Sequence, residues 1–454
     1  MEKIYKVIGI RKENKNKWER RVALTPDDCK RLTDRGIKIL VEPSTLRCFT
    51  DNQYERAGCI LTNDITSAYL IIGVKEVPLD YLYPEKSYMY FSHTIKGQPA
   101  NMPALKDILE KRIRLFDYEC IKEAKADNPQ RLVAFGRFAG LAGGFDFLQG
   151  IGEFLLHRQI STPFLHTGYS YMYPSVDDAK DSLRKIGEMI KKKHLPRELC
   201  PFIVGFTSNG RVSKGAQEVL QCLPHEFVDP NDLGKLFETE PRRDIVYLTV
   251  IESKHMYVHK ETGDFNREDF YTNPENYQST FADKYVPYLS ILYHCMFWDV
   301  KHPKILTFEE GKRLTQDNKF RLLGISDITC DMNGSIDYLQ KFTTIEKPFF
   351  TIDTNTNILE DDLNKITDNS ILYHAVDHLP AEFPIDASKH FSERLTPFIE
   401  SILKSEYPCD YNGESELPLE ILNSCETWNG KLMPKYQYLH KELGKHYEEY
   451  KESS

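Results

Sequence analysis

Three short segments carry side chains able to move protons or hold carboxylates. In Ile71-Ile72-Gly73-Val74-Lys75-Glu76-Val77-Pro78 a lysine stands at the carboxyl end of an apolar run. Partial removal from water lowers an ammonium pKa and turns the amine into a usable base. In Phe91-Ser92-His93-Thr94-Ile95-Lys96 a histidine follows a second apolar run. Imidazole titrates near neutral pH and suits general acid–base work. Taken singly, each is more often a solvated loop lysine or a structural histidine. Glu19-Arg20-Arg21-Val22-Ala23-Leu24-Thr25-Pro26 adds two arginines ahead of a helix start, either able to clamp a carboxylate in bidentate fashion. Glu119 in Asp117-Tyr118-Glu119, Arg131 before Leu132, and Asp327 and Asp331 in Ser326-Asp327-Ile328-Thr329-Cys330-Asp331 occupy further strand ends. Their shared feature is position. Carboxyl ends of strands are the edge at which open α/β sheets bind ligands.

A fourth segment, Val204-Gly205-Phe206-Thr207-Ser208-Asn209-Gly210-Arg211-Val212-Ser213-Lys214-Gly215-Ala216, runs from an apolar strand through a glycine-bearing turn into a helix. That geometry points backbone N–H groups and a helix N-terminus at a pyrophosphate. Thr207, Ser208, Asn209, Gly210, Arg211 and Val212 are therefore the candidate cofactor-binding residues. The spacing departs from Gly-x-Gly-x-x-Gly, with Ser208 where a first glycine is expected and Gly215 five residues after Gly210. Asp229 ends the next apolar run, and an acid there accepts hydrogen bonds from a ribose 2′-OH, which favours NAD over NADP. Arg242-Arg243 offers the opposite reading, as a partner for a 2′-phosphate. His255/His259 and His374/His378 have i,i+4 spacing without an acidic third ligand in register, so no metal site is expected.

The elements that position these groups alternate. Lys6–Ile10, Ile37–Val41, Cys59–Thr62, Ala68–Val74, Met89–Ser92 and Ile113–Asp117 read as strands. Thr25-Pro26-Asp27-Asp28 opens a helix with Thr as N-cap and Pro at the first position. Gln53–Ala57 and Met102–Lys111 add helices, so a parallel sheet covered on both faces is expected. Leu132–His157 is a Gly-rich helical stretch whose Ala139–Gly144 run permits close backbone approach. Asp177–Lys193 reads as a helix, Phe202–Phe206, Ile245–Val250 and Leu322–Asp327 as strands, and Glu261 to Tyr288 as loops over a site. Ala387–Lys404, capped by Asp386, and a charged tail from Tyr436 read as helices.

The 454 residues carry a net charge of −9, with 41% hydrophobic and 28% charged residues. That composition suits a globular chain of two to four domains. It holds no basic block for nucleic acid and no apolar run of membrane-spanning length. Ten scattered cysteines include no Cys-x-x-Cys, as in reduced buried thiols. The N-terminus is neither a signal nor a transit peptide, so a cytoplasmic protein is expected, or a mitochondrial matrix one if the chain is trimmed.

Longer stretches resemble a known family. Glu-Arg-Arg-Val-Ala-Leu-Thr-Pro at 19–26 is similar to the N-terminal signature of the alanine dehydrogenase and saccharopine dehydrogenase group. The stretches at 71–78 and 90–98, and Arg-Leu-Val-Ala-Phe-Gly-Arg-Phe-Ala-Gly-Leu-Ala-Gly at 131–143, extend the similarity. Phe-Ser-His-Thr-Ile-Lys at 91–96, Val-Ser-Lys-Gly-Ala at 212–216, Gly-Ser-Ile-Asp at 334–337, Thr-Thr-Ile-Glu-Lys-Pro-Phe at 343–349 and Asp-His-Leu-Pro-Ala at 377–381 resemble the lysine–ketoglutarate reductases of the aminoadipic semialdehyde synthase family.

The resemblance implies an α/β fold of two Rossmann-like domains around a cleft. Residues 1–137 and 372–454 would form a discontinuous substrate domain and 138–371 the dinucleotide-binding domain. It implies condensation of L-lysine with 2-oxoglutarate and reduction of the imine by NADPH to saccharopine. Lys75 and His93 would be the proton-transfer pair and Glu76 and Glu119 would tune them. Lys96 and Asp331 would form an ion pair, and Arg21 and Arg131 would orient substrate carboxylates. It also implies a saccharopine dehydrogenase half as a fused or separate partner, and leaves an oligomer open. NADPH stands ahead of NADH on whole-chain similarity, against the simple reading of Asp229. The alternatives are an NAD-dependent, lysine-forming saccharopine dehydrogenase and a non-catalytic regulatory homologue.

Overall fold

A computed structural model describes residues 6–126 and 129–448. It divides into two compact units, Met1–Phe135 with Pro384–Ser454, and Gly136–Phe383.

The first unit is built on β1 (Ile8–Ile10), β2 (Ile39–Val41), β3 (Ile60–Leu61), β4 (Leu70–Ile72), β5 (Ser87–Tyr90) and β6 (Arg114–Asp117). All six run parallel in the order β3-β2-β1-β4-β5-β6. β1, β2 and β4 are apolar and fully buried, as strands covered on both faces must be. Helices α1 (Pro26–Thr33), α2 (Asp51–Arg56) and α3 (Met102–Glu110) form crossovers. The Thr25 hydroxyl caps α1 by accepting the Asp28 N–H, and Thr50 with Gln53 closes a capping box on α2. Strand order reverses between β1 and β4, which opens a crevice at their carboxyl ends.

In the second unit α4 (Gly136–His157) and α5 (Val176–Lys193) precede β7 (Ile203–Thr207), which leads into α6 (Arg211–Leu220). There follow β8 (His225–Phe227), β9 (Val246–Ile251), β10 (Tyr257–His259), β11 (Tyr277–Ser279), β12 (Ile291–His294), β13 (Gly324–Asp327), β14 (Phe349–Asp353), β15 (Leu359–Glu360) and β16 (Ser370–His374). Except for the antiparallel pair β10-β11, they form one sheet ordered β15-β14-β16-β13-β12-β7-β9-β8. Order reverses here between β7 and β12. The boundary expected at 371/372 would cut β16; the chain leaves this unit only after Phe383.

The segment read as loops over a site, Glu261 to Tyr288, instead contributes to the core. Phe270, Tyr277, Phe281 and Tyr285 are buried in one apolar cluster. Its elements are too short to show a period, so its aromatics mark packing rather than a lid.

The chain returns to the first unit through the helix Pro384–Lys404, which starts ahead of Asp386 rather than after it. Ser388 Oγ accepts the Val22 N–H and Ser392 Oγ the Thr25 N–H, both at 2.9 Å. β17 (Cys425–Trp428) then pairs antiparallel with β6, and β18 (Lys431–Leu432) with β17. The tail read as a helix from Tyr436 is helical over Leu439–Gly444. Among the described residues no helix is long and apolar enough to cross a membrane.

Candidate active site

The strand order of the first unit selects its own site. Residues following β1 and β4 flank the reversal, and those following β5 and β6 lie next along the same edge. Lys75 and Glu76 follow β4, His93 follows β5 and Glu119 follows β6, on parallel neighbours held in register. Glu13, after β1, fixes the Lys75 backbone: its Oε1 accepts Val74 N–H at 2.7 Å and its Oε2 accepts Lys75 N–H at 3.1 Å.

The side chains form a connected set. Glu19 and Arg21 make a buried, bidentate pair, with Arg21 Nε 2.8 Å from Glu19 Oε1 and Nη2 2.5 Å from Oε2. The guanidinium also lies over the Phe135 ring, 4.3 Å from its centroid. Burial pushes the Lys75 amine below its usual range; Arg21 adds to this and Glu19 opposes it. Glu76 takes Lys15 at 3.0 Å and lies 3.6 Å from His93 Nε2. On the other ring edge His93 Nδ1 is 3.5 Å from Glu119 Oε2, an electrostatic contact rather than a well-formed hydrogen bond. Arg131 Nη2 reaches Glu119 Oε1 at 3.1 Å. Burial would raise the Glu119 carboxyl, but His93, Arg131 and the Lys96 charge together hold it at about 2. The arrangement is an imidazole between two carboxylates beside a partly desolvated amine, with two arginines around them. It can donate and accept protons and bind anionic substrates.

The low Glu119 pKa has a consequence for stability. A carboxyl held below its unfolded value stabilises the fold above that value and ceases to as pH falls through the folded one. Glu119→Gln should therefore be less stable than wild type at neutral pH, with the gap closing between about pH 4.5 and about pH 2. Urea midpoints across that range measure it; a gap unchanged at the acid end would contradict the pairing.

The second unit holds the turn. Gly210 is the N-cap residue of the ten-residue α6, and no side chain caps that end. An added Cβ at Gly210 would meet nothing closer than Ser208 Oγ at 3.7 Å, so the backbone is open to a close-lying group. Ser208 takes the left-handed φ of 64° that a glycine would adopt freely, and its Oγ donates to Cys295 O at 3.3 Å. Thr207 Oγ1 lies 3.1 Å from His294 Nδ1 at the β7/β12 reversal. Thr207 to Arg211 thus fit a dinucleotide pyrophosphate by backbone N–H groups and helix dipole. Val212 also lies in the first turn of α6; its carbonyl packs on α4 at Gly140, and Gly215 packs on Arg137 of the same helix.

One sequence reading changes. Asp229 follows β8, the edge strand, and its Oδ1 caps the next turn by accepting Asn231 N–H at 2.9 Å. The strand beside β7 is β9, with Ser208 N–H donating to Ile251 O at 2.9 Å. Glu252 and Lys254, after β9, thus stand in the place expected of Asp229. Asp331 follows β13 in the second unit and Lys96 lies in the first. Among the described residues no cluster of three or more His, Cys, Asp or Glu could hold a metal.

Residues 9–142 match the family described as Alanine dehydrogenase/PNT, N-terminal domain. An alpha-aminoadipic semialdehyde synthase of Arabidopsis thaliana is 39% identical over 450 residues, 95% of this chain. The chain is similar to one part of the aminoadipic semialdehyde synthases. It spans only 41% of the length of that relative. A saccharopine dehydrogenase [NAD(+), L-lysine-forming] of Emericella nidulans is 27% identical over 86% of this chain and 90% of its own length. Among solved structures an L-alanine dehydrogenase superposes with a TM-score of 0.59 at 14% identity, covering 96% of this chain and 99% of that one. The shared architecture is the Rossmann-like α/β fold. The family's signature stretch at 19–26 supplies the Glu19–Arg21 pair, and its 91–96 stretch supplies His93 in its turn.

Proposed function

We propose that the chain is a lysine–2-oxoglutarate reductase: it condenses the ε-amine of L-lysine with the ketone of 2-oxoglutarate and reduces the imine to saccharopine. The observation that carries this reading is the Lys75–Glu76–His93–Glu119 set at the sheet reversal, in a chain similar along 95% of its length to part of an alpha-aminoadipic semialdehyde synthase. The substrates bring three carboxylates, and Arg21 and Arg131 are cations paired with the carboxylates Glu19 and Glu119 around the proton-transfer groups. The amine attacks only when neutral, and Lys75, with its lowered pKa, takes that proton. The carbinolamine loses water only when its hydroxyl is protonated, which His93 provides. Glu76 and Glu119 hold the imidazole from both edges. A bound nicotinamide nucleotide supplies the hydride; Thr207 to Arg211 would hold its pyrophosphate.

We take NADPH as the cofactor, with Lys254 available to a 2′-phosphate. Glu252 favours the second reading, an NAD-dependent, lysine-forming saccharopine dehydrogenase, because an acid in that place accepts from a ribose 2′-OH. A saccharopine dehydrogenase, on the same or another chain, would consume the product. The test is nucleotide oxidation with lysine plus 2-oxoglutarate. NADPH oxidation that needs both substrates supports the reductase. A preference for NADH moves the assignment to the second reading, and no turnover by folded protein refutes both.

A further inference from the structure

A buried pair of carboxyls lies beneath the His93 turn. Asp117 ends β6 and Glu426 lies on β17; both side chains are fully buried. Among the described residues neither forms an ion pair with a lysine or arginine. Asp117 Oδ2 accepts Ser92 N–H at 2.9 Å, Ser92 O–H at 2.5 Å and His93 N–H at 3.1 Å, and its Oδ1 accepts Glu119 N–H at 2.6 Å. Ser92 Oγ also lies 3.1 Å from Glu426 Oε1 and 2.7 Å from Thr94 Oγ1, and the Thr94 hydroxyl donates to Glu426 Oε2.

The hydrogen atoms do not suffice if both carboxyls are ionised. The Thr94 proton goes to Glu426 and the Ser92 proton to Asp117, which leaves the contact between Ser92 Oγ and Glu426 Oε1 without one. Two adjacent carboxylates without a cation, removed from water, also repel and retain a proton. Asp117 receives four donors, a pattern that favours the charged form, whereas Glu426 receives hydroxyl groups alone. We propose that Asp117 and Glu426 share one proton, carried on Glu426, and that the pair positions His93 and Glu119 through their backbone N–H groups. His93 needs such support because it is held at a left-handed φ of 59°. Burial and the neighbouring Asp117 push the Glu426 carboxyl well above its ordinary range, consistent with this placement. The return of the chain to the first unit thereby gains a role: β17 delivers a residue 334 positions from Ser92 to the back of the acid–base site.

The kinetic half of the test rests on the reductase reading; the spectroscopic half does not. Infrared difference spectra at neutral pH, wild type minus Glu426→Gln, should show the C=O stretch of a neutral carboxylic acid. Glu426→Gln should keep kcat within about threefold of wild type, because the amide supplies a donor and an acceptor in the same places. Asp117→Asn and Glu426→Ala should each lose on the order of a hundredfold in kcat, with KM for the nucleotide unmoved, as misplacement of a reacting group predicts. Ser92→Ala, which removes the shared hydroxyl, substitutes for either if it does not fold. Absence of the acid band from the difference spectrum overturns the proposal. So does a folded Glu426→Gln protein as impaired as Glu426→Ala. If wild type fails to turn over lysine and 2-oxoglutarate, the reductase reading falls and the infrared band alone decides the pair.

Discussion

Lys75→Met and His93→Gln are each expected to lower kcat by about 10²–10⁴-fold, the usual contribution of a positioned acid or base. The two losses should differ in their dependence on pH. Burial first, and then the Arg21 charge, hold the Lys75 pKa below its ordinary value, so the neutral amine is gained as pH rises. Wild-type kcat/KM should therefore climb through the Lys75 titration, and that limb should be missing from Lys75→Met. His93→Gln keeps the Lys75 environment intact and should keep the limb while lowering the plateau. Glu19→Gln offers an internal check. It removes the anion that favours charged Lys75, so the limb should move to lower pH. Steady-state rates across pH, with folding verified by circular dichroism, decide the matter. Retention of the rising limb in Lys75→Met would remove Lys75 from its role, and near-wild-type rates in both variants would remove the pair.

The sequence made the front of this site readable and left its back hidden, for a physical reason. Lys75, His93 and Glu119 each follow an apolar run, and a residue just past a buried strand is located by local pattern alone. The Thr25 cap was legible in the same way, because Thr-Pro-Asp-Asp is a local signal. Glu13, Asp117 and Glu426 act through buried carboxyls that accept hydrogen bonds from segments far away in the chain, as far as 332 positions for Glu426. No spacing reveals such a contact. β17 compounds the difficulty, since Cys-Glu-Thr-Trp places an ionisable residue inside a strand. Asp229 is a case of another kind. Reading Asp229 as a ribose ligand assumes that the strand following α6 lies beside β7, but the sheet places β9 there and β8 outside it. Adjacency in sequence is not adjacency in the sheet, and nothing local marks Glu252 and Lys254 as the residues after the strand beside β7. The aromatic stretch from Glu261 to Tyr288 misled in the opposite direction, since Phe270, Tyr277 and Phe281 are buried without a period that a pattern could detect.

The largest stability effect should come from the glycines where α4 crosses α6. A Cβ on Gly140 would lie 1.9 Å from Val212 O and 2.7 Å from Ala216 N; one on Gly215 would lie 2.1 Å from Arg137 O. All are backbone atoms, which cannot rotate aside, so the helices must separate. Overpacking in a core typically costs 1–3 kcal/mol, and a clash with backbone belongs at the upper end, so Gly140→Ala should cost about 3 kcal/mol or more. For a unit of this size that corresponds to a fall in Tm of roughly 6–12 °C. Gly136→Ala, one turn earlier in α4, is the control. Its Cβ would touch Val212 Cγ2 at 3.4 Å, an ordinary contact. Ala exceeds Gly in helix propensity by about 1 kcal/mol, so this variant should be neutral or slightly stabilised. The crossing also bears on the proposed nucleotide site. α6 begins at Gly210, and its first turn supplies the N–H groups proposed to hold the pyrophosphate, so moving α6 off α4 moves that turn. Gly140→Ala should therefore weaken nucleotide binding well below its melting temperature, measured by fluorescence titration with NADPH, while Gly136→Ala leaves it unchanged. If Gly140→Ala melts lower but binds NADPH as wild type does, the turn keeps its shape independently of the crossing. If it melts with wild type, the close approach of the two helices is not what these glycines permit.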